Sequence, residues 1–383
     1  MAASSVGSIK RHFRRLWDPR IQGRTRHLLT DIIVMVMAIC GVIANCDGWR
    51  DIALFAQKRQ SWFKRFLKLP NGIPAHDTFE RVFNQLNPRT FQTCFISWVK
   101  EISELVGLRH IAIDGKSLRH SCHPQAGFGM LHAVSAWATE QHLILGQVMT
   151  DAKSNEITAI PKLLELLDLH GALVTIDAIG CQKAIAKQIV DQGGDYVLTV
   201  KENQGHLLED IQVTVEKALD GLLSAEVVQE YTKVESGHGR EEERSYVVIH
   251  DVEEIRDRDQ WKKLTTVGIC RSERTVNGQT STEVRYFIGS RRLSARTYGK
   301  VLRGHWGIEN NLHWQLDVNF GEDKSSIYKR TAGENFAALR RIALSLVKRN
   351  PRYESIGRRR KAAAMDCDFL AEILLGARNP DEV

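Results

Sequence analysis

The chain has 383 residues, of which 43% are apolar and 26% are charged. These values are ordinary for a soluble globular protein, exclude long disordered regions, and fit about two to three domains. The formal net charge is +7 and the sequence pI is about 9.0. A positive surface of this kind favours polyanionic partners, nucleic acid first and anionic membrane second.

The seven cysteines form no C-x-x-C pair, so the sequence suggests neither a disulfide framework nor a zinc ribbon and favours a reducing compartment. The N-terminus lacks the apolar core of a signal peptide. The most apolar run, residues 32–44, has 13 residues and falls short of the ~20 needed to span a bilayer. We therefore expect a buried helix there, a cytoplasmic location and no membrane partner.

Residues 1–105 are predicted to form a helical domain that binds DNA. A basic arm precedes the apolar run and contains Lys10, Arg11, Arg14, Arg15, Arg20, Arg24 and Arg26. The stretches 49–67 and 77–86 have apolar residues at three- and four-residue spacing, which is typical of amphipathic helices. Asp77 is the candidate N-cap of the second helix.

From residue 106 the pattern changes to short aliphatic runs separated by polar turns. Runs at 109–114, 132–139 and 143–150 leave no room for helices between them and predict an antiparallel meander. The alternation that follows predicts a helix at 155–169, a strand at 173–177, a helix at 181–192, a strand at 196–200 and a helix at 205–223. Residues 106–224 are therefore expected to form a mixed sheet covered by helices.

Residues 225–292 contain four β-rich runs, with a turn signal at Asn277-Gly278, and predict an inserted antiparallel β-subdomain. Helices are expected again over 293–350, beginning at Ser294, whose hydroxyl is a suitable N-cap. A basic amphipathic helix is predicted at 333–349. A basic tail, 351–383, is expected to contain a solvated stretch that can bind a polyanion.

Two aspartates are predicted to end neighbouring strands. Asp114 follows the first strand and Asp177 follows the strand at 173–176, where a sheet holds side chains rigidly beside open solvent. A lone acid at a strand end is more often a turn-former. Two unpaired carboxylates in one crevice repel unless a cation lies between them, and Mg²⁺ prefers such oxygen ligands.

The third candidate acid is Glu309, in the segment 303–314. On a helix it shares one broad, largely apolar face with Leu302, His305, Trp306 and His313, so it needs a partner or a metal. An ion pair with Arg303 is the structural alternative, and Glu322 and Asp323 are rival ligands. His305, Glu309 and His313 also recur at four-residue steps, which would suit zinc, but their order differs from that of zinc peptidases.

Several long motifs carry a resemblance to a known family. The segments 111–119, 145–186, 193–204 and 305–325 resemble the DDE transposases of bacterial insertion sequences, and the nearest resemblance is to the H-repeat-associated proteins beside Rhs elements. The N-terminal segments 49–55 and 72–83 also resemble that family. The resemblance covers residues 18–350 and implies an α/β, ribonuclease H-like mixed sheet flanked by helices, with a helical N-terminal domain and a β-insertion.

The resemblance implies that Asp114, Asp177 and Glu309 form a catalytic and metal-binding triad. They are 63 and 132 positions apart, and the second interval has space for the β-insertion. The family uses two Mg²⁺ ions, which Mn²⁺ can replace, to cleave and join DNA strands. The wider superfamily has Tyr, Arg and Lys near the glutamate, where this chain has Leu302, His305 and Leu316.

The expected partners are double-stranded DNA, at terminal inverted repeats and at a target, and a second copy of the chain on DNA. Such a protein would be associated with the nucleoid. Candidate DNA contacts are Lys116, Arg119, Lys201, Asn203, Arg303, His305 and Trp306. Solvated charge is the alternative for the lysines, and core packing is the alternative for Trp306 and Trp314. The alternative function is a DNA-binding relic that no longer transposes.

Overall fold

A computed structural model describes residues 11–21, 23, 25–29, 37–104, 110–118, 130–150, 156–237, 239–325, 327 and 330–375. Lys10, Arg24 and Arg119 lie outside these ranges. No helix among the described residues is long and apolar enough to cross a membrane.

The N-terminal helices have the bounds α1 Met37–Ile43, α2 Trp49–Lys58, α3 Gln60–Phe63, α4 His76–Gln85 and α5 Pro88–Glu104. Aromatic side chains join them to the rest of the core. Trp49 stacks on Phe83 at 4.7 Å and meets the ring of Phe336, near the other end of the chain, at 4.9 Å. Asp77 is not the N-cap: α4 begins one residue earlier, and Asp77 pairs with His76 at 2.8 Å.

The basic arm is only partly free. Arg11 pairs with Glu101, and Arg20 pairs with Asp18 at 2.7 Å. Arg14 and Arg15 are exposed.

Strands of the first half have the bounds β1 His110–Leu118, β2 Leu131–Ala138, β3 Leu143–Thr150, β4 Leu173–Ile176 and β5 Asp195–Val200. β1, β2 and β3 form the predicted antiparallel meander, and β4 and β5 add to β1 in parallel. Two helices join them, α6 Glu156–Leu164 and α7 Lys183–Asp191. Gly193 closes α7 at φ +80°, a backbone conformation that glycine adopts without strain.

The β-rich region does not form a separate sheet. Its strands, β6 Val228–Gly237, β7 Arg240–Ile249, β8 Thr266–Val276 and β9 Gln279–Gly289, form an antiparallel set that joins the first half where β9 pairs with β5. Within the described residues, nine strands therefore make one mixed sheet in the order β3-β2-β1-β4-β5-β9-β8-β7-β6. Asn277 and Gly278 both have positive φ, as the predicted β8–β9 turn requires.

Helices cover both faces of this sheet. One face carries α6, α7 and α8 Gly205–Leu219, and the other carries α9 Ala295–Ile308. The hydroxyl of Ser294 accepts a hydrogen bond from the Thr297 amide, which confirms the predicted cap. A π-helical turn, Glu309–His313, leads from α9 into α10 Trp314–Phe320.

Helix α11, Arg330–Arg349, lies in the interior of the protein and not at the surface, where an amphipathic helix was predicted. Residues 335–347 are all buried, because the N-terminal helices, β3 and α10 surround them. Two further helices follow, α12 Ile356–Met365 and α13 Cys367–Leu375. The tail is thus not simply solvated: Arg360 is buried, donates to the Val42 carbonyl at 2.7 Å, and lies over the Phe320 ring.

Candidate active site

Asp114 lies inside a strand, not at its end as the sequence suggested. β1 continues to Leu118 because its far half pairs with β2, whereas its pairing with β4 stops at Ile113↔Ile176. Asp114 is therefore the first residue of β1 beyond the end of β4. The side chain is only 16% exposed.

Asp177 directly follows β4, as predicted. It occupies the position after Ile176, next to Asp114 in the parallel register, where neighbouring strands are about 4.8 Å apart. Its carboxylate accepts a hydrogen bond from the Ile179 amide at 3.2 Å. Burial, and then the charges of Asp114 and Glu156, raise the pKa of Asp177 to about 6. Burial is the larger cause, and repulsion between neighbouring carboxylates adds to it.

Glu309 meets Asp114 at the same edge of the sheet. Asp114, Glu309 and His313 each offer one ligand atom, and these atoms lie within 4.8 Å of one another. Glu309 is exposed, which corrects the predicted inward orientation: the helix continues past the end of β4, and the sheet no longer covers that side chain. Among the described residues it has no ion-pair partner, so the alternative pair with Arg303 does not form.

His313 is the histidine that joins the acids. Its Nε2 lies 3.2 Å from Asp114 Oδ2, and its side chain is 4% exposed. Burial alone acts to raise the pKa of Asp114, but the hydrogen bond and charge of His313 lower it. The histidine entered the sequence argument only through the zinc spacing, and of that set only Glu309 and His313 come together with Asp114.

His305 is buried and serves the scaffold instead. Its Nδ1 lies 3.0 Å from Thr175 Oγ1, which lies 2.9 Å from His110 Nε2. These contacts join α9 to β4 and β1, and burial lowers the pKa of His305. The predicted phosphate contact at His305 is therefore not available in this structure.

Lys116 is also committed to the interior. Its side chain is 10% exposed and pairs with Asp317, with Glu322 at 3.4 Å and with Asp323 at 3.9 Å. Arg341 holds Glu322 from the other side at 2.6 Å. Burial raises the pKa of Glu322, yet Arg341 and Lys116 together lower it to about 2. Glu322 is thus ion-paired with Lys116 and Arg341, and it is not positioned as a rival metal ligand.

The other candidate contacts divide between support and surface. Asn203 donates from Nδ2 to the Ala178 carbonyl at 2.7 Å and so fixes the turn after Asp177. Lys201 and Arg303 are exposed. Trp306 and Trp314 are 39% and 52% exposed, so neither packs in the core. Arg119 lies outside the described residues.

A basic groove beside the acids was missed by sequence reasoning. It has a volume of about 430 Å³ and lies between α9 and strands β7–β9. Its arginines are Arg240, Arg244, Arg274, Arg285 and Arg303, and Trp306 and Asn310 complete the side next to Glu309. The guanidinium of Arg285 lies 3.3 Å from the centre of the Trp306 ring. The sequence shows these arginines scattered over three β-rich runs, at 240 and 244, at 274 and at 285, and only the strand order shows that they line one groove.

A second missed feature lies under β1. His132 pairs with Glu156, and Ser117 Oγ lies 2.9 Å from His132 Nδ1. Gly115 leaves the space for this pair, since a Cβ there would lie 2.7 Å from His132 Nε2 and closer still to Glu156 Oε1. The glycine after Asp114 is therefore explained by close packing.

The structure thus brings Asp114, Glu309 and His313 into one cluster beside a large mixed sheet, and Asp177 follows the neighbouring strand without belonging to that cluster. Comparison with known proteins identifies the class as a transposase. A family model described as Transposase DDE domain matches residues 106–346, and one described as DDE_Tnp_1-associated matches residues 10–99. The chain belongs to the transposase DDE domain family.

Among relatives, the H repeat-associated putative transposases YhhI and YbfD of Escherichia coli K12 are 38% and 40% identical. The YhhI match covers 96% of this chain and 97% of that protein, and the YbfD match covers 64% and 95%. A solved piggyBac transposase synaptic complex with hairpin DNA gives a TM-score of 0.40 at 10% identity, over 98% of this chain and 79% of that one. A likeness that low supports no argument about this chain.

Proposed function

We propose that this chain is an active DNA transposase that cleaves DNA strands at the ends of an insertion-sequence-like element and transfers them to target DNA. The observation that carries the proposal is the convergence of Asp114 and Glu309. Although they lie on β1 and on a π-helical turn far along the chain, their carboxylates come within 4.8 Å.

Strand order supports a ribonuclease H-like core for this chemistry. The order β3-β2-β1-β4-β5, antiparallel over the first three strands and parallel from β1 to β5, is that expected of such a core. We infer that β6–β9 are an insertion before the last acid, which extends the same sheet.

The donor set fits Mg²⁺ or Mn²⁺, since carboxylate oxygens are the ligands that these ions prefer. Asp114, Asp177 and Glu309 would hold the cations. Bound there, two divalent cations would supply positive charge to the attacking and leaving oxygens of a phosphodiester. Burial and the neighbouring charges raise the pKa of Asp177, and a bound cation would favour its ionised form.

The protein itself positions the reacting groups. The Ile179 amide and Asn203 fix the turn that carries Asp177, and the His305–Thr175 contact holds α9 against β4. Glu309 is exposed, so its carboxylate would be accessible to a phosphodiester bound beside the site.

The basic groove is the proposed binding surface for DNA phosphates. Arg240, Arg274 and Arg303 are exposed and have no ion-pair partner among the described residues. Free guanidinium groups bind phosphate oxygens readily. Residues 1–105, with exposed Arg14 and Arg15, would add a second contact, and joining two element ends would require a dimer on DNA.

The test is nicking of supercoiled plasmid in Mn²⁺ by wild type and by the variants Asp114→Asn, Asp177→Asn and Glu309→Gln. We expect nicking by wild type and a loss of at least ~100-fold in each variant, as for removal of a group that acts on the transition state. Asp259→Asn is the matched control, because that side chain is 97% exposed and outside the site.

Equal nicking by wild type and all three variants would reject the catalytic assignment. DNA binding without nicking by wild type would favour the alternative, a relic that binds DNA and no longer transposes.

A further inference from the structure

The imidazole of His313 occupies a position that the proposed triad of acids does not explain. Its Nε2 lies 3.2 Å from Asp114 Oδ2, and Glu309 offers an oxygen within 4.8 Å of both residues. Around an octahedral cation with ligands at ~2.1 Å, neighbouring ligand atoms are ~3.0 Å apart and opposite ones ~4.2 Å apart. The 3.2 Å separation of His313 Nε2 and Asp114 Oδ2 is close to that of neighbouring ligand atoms, and the exposed Glu309 side chain lies near enough to reach the same ion.

The His313 ring is buried although it makes one side-chain hydrogen bond among the described residues. His313 is 3% exposed, and its Nδ1 is buried with no hydrogen-bond partner among the described residues. Leaving a buried polar atom without a partner is unfavourable, so the ring is held in this position at a cost to stability. The structure that buries the ring also holds its Nε2 toward Asp114, which is the orientation that a ligand nitrogen requires.

The backbone holds the three donors on rigid elements. Glu309 and His313 begin and end the same π-helical turn, and such turns occur frequently at functional sites. Asp114 lies within β1, where its backbone is opposite Ser135 of β2. Lys116, which is two positions after Asp114 in the sequence, is ion-paired with Asp317 and Glu322.

We propose that His313 is a nitrogen ligand of the cation held by Asp114 and Glu309, and that the site therefore binds Mn²⁺ more tightly than Mg²⁺. The inference rests on the proposed function and adds a ligand to that site. Imidazole nitrogen suits transition-metal ions, whereas Mg²⁺ takes oxygen ligands. Zn²⁺ and Co²⁺ are expected to compete for the same position.

The test uses the full chain, freed of metal by chelation and loaded with Mn²⁺. Pulsed electron paramagnetic resonance detects ¹⁴N coupled to the bound Mn²⁺, and protein grown with ¹⁵N-histidine should replace that signal with ¹⁵N coupling. In His313→Gln the coupling should disappear, and Mn²⁺ affinity should fall roughly tenfold or more. His206→Gln is the control, because that side chain is 82% exposed, lies near Glu209 and does not belong to the cluster of Asp114, Glu309 and His313.

Asp114→Asn should weaken the same nitrogen coupling, and this second variant decides the matter if His313→Gln does not fold. Bound Mn²⁺ with no nitrogen coupling in wild type, or coupling that persists in folded His313→Gln, would overturn the proposal. This outcome differs from failure of the proposed function. If metal-dependent nicking is lost in Asp114→Asn but wild type shows no nitrogen coupling, the transposase activity stands and His313 is not a metal ligand.

Discussion

The ammonium of Lys116 lies 3.4 Å from the carboxylate of Glu322, which Arg341 holds from the opposite side. This buried network joins β1, two residues after Asp114, to the segment that follows the π-helical turn. It fixes the distance between the sheet and the helix on which the site depends. Lys116 is therefore a positioning residue and not the phosphate contact that the sequence suggested.

Lys116→Met should destabilise the protein. Removing the ammonium leaves the buried Glu322 with less compensation for its charge, a change that costs about 3–5 kcal/mol when a buried pair is broken. Urea unfolding monitored by tryptophan fluorescence measures it. Lys201→Met is the control, because Lys201 is exposed and should change the free energy of unfolding by about 0.5 kcal/mol or less. If Lys116→Met keeps its stability and binds DNA more weakly, Lys116 contacts phosphate as the sequence suggested and does not position the site.

Acid should weaken the fold through Glu322. The pKa of this group is about 2 in the folded protein, below its ordinary 4.5. Its stabilising contribution is therefore complete above pH 4.5 and is lost as the pH falls toward 2, since the unfolded chain takes up the proton first. Urea midpoints at pH 6, 4.5 and 3 should fall more steeply for wild type than for Glu322→Gln. Parallel slopes would contradict the ion network, and Glu354→Gln, at an 88% exposed side chain, should match wild type.

Gly115→Ala should disturb the strand that carries Asp114. The new methyl group would overlap Glu156 and lie 2.7 Å from His132 Nε2, and overpacking of this kind costs about 1–3 kcal/mol. Thermal unfolding should show a lower Tm. Gly205→Ala is a matched control, because a Cβ there meets nothing within 4 Å, and its Tm should hold or rise. Equal Tm values for both variants would show that the His132–Glu156 pair moves aside freely.

Charge removal in the basic groove should reduce DNA affinity and its salt dependence. For Arg240→Ala, Arg274→Ala and Arg303→Ala, each lost phosphate contact should lower the slope of log K against log salt by ~0.9. Fluorescence anisotropy with a labelled duplex, across a range of NaCl concentrations, measures this slope. Arg258→Ala removes an exposed arginine outside the groove and should leave the slope unchanged. If the groove variants behave like Arg258→Ala, DNA does not bind there.

The sequence by itself determined most elements of this fold. Alternating aliphatic runs predicted the meander and the later strands, Ser294 marked the start of α9, and Asn277-Gly278 marked the β8–β9 turn. Asp177 was correctly placed after its strand. These features depend on the local backbone, on caps and turns that a few neighbouring residues specify.

Only the tertiary structure decided which charged groups meet. Lys116 and Asp317 are 201 positions apart, and no local pattern shows that they pair in the interior. No local pattern shows that His313 lies beside Asp114 or that Glu309 is exposed. Nor does one show that Arg240, Arg274 and Arg303 line the same groove. The reason is physical: periodicity gives the direction of a side chain within its own helix or strand, whereas burial and ion pairing depend on the element packed opposite.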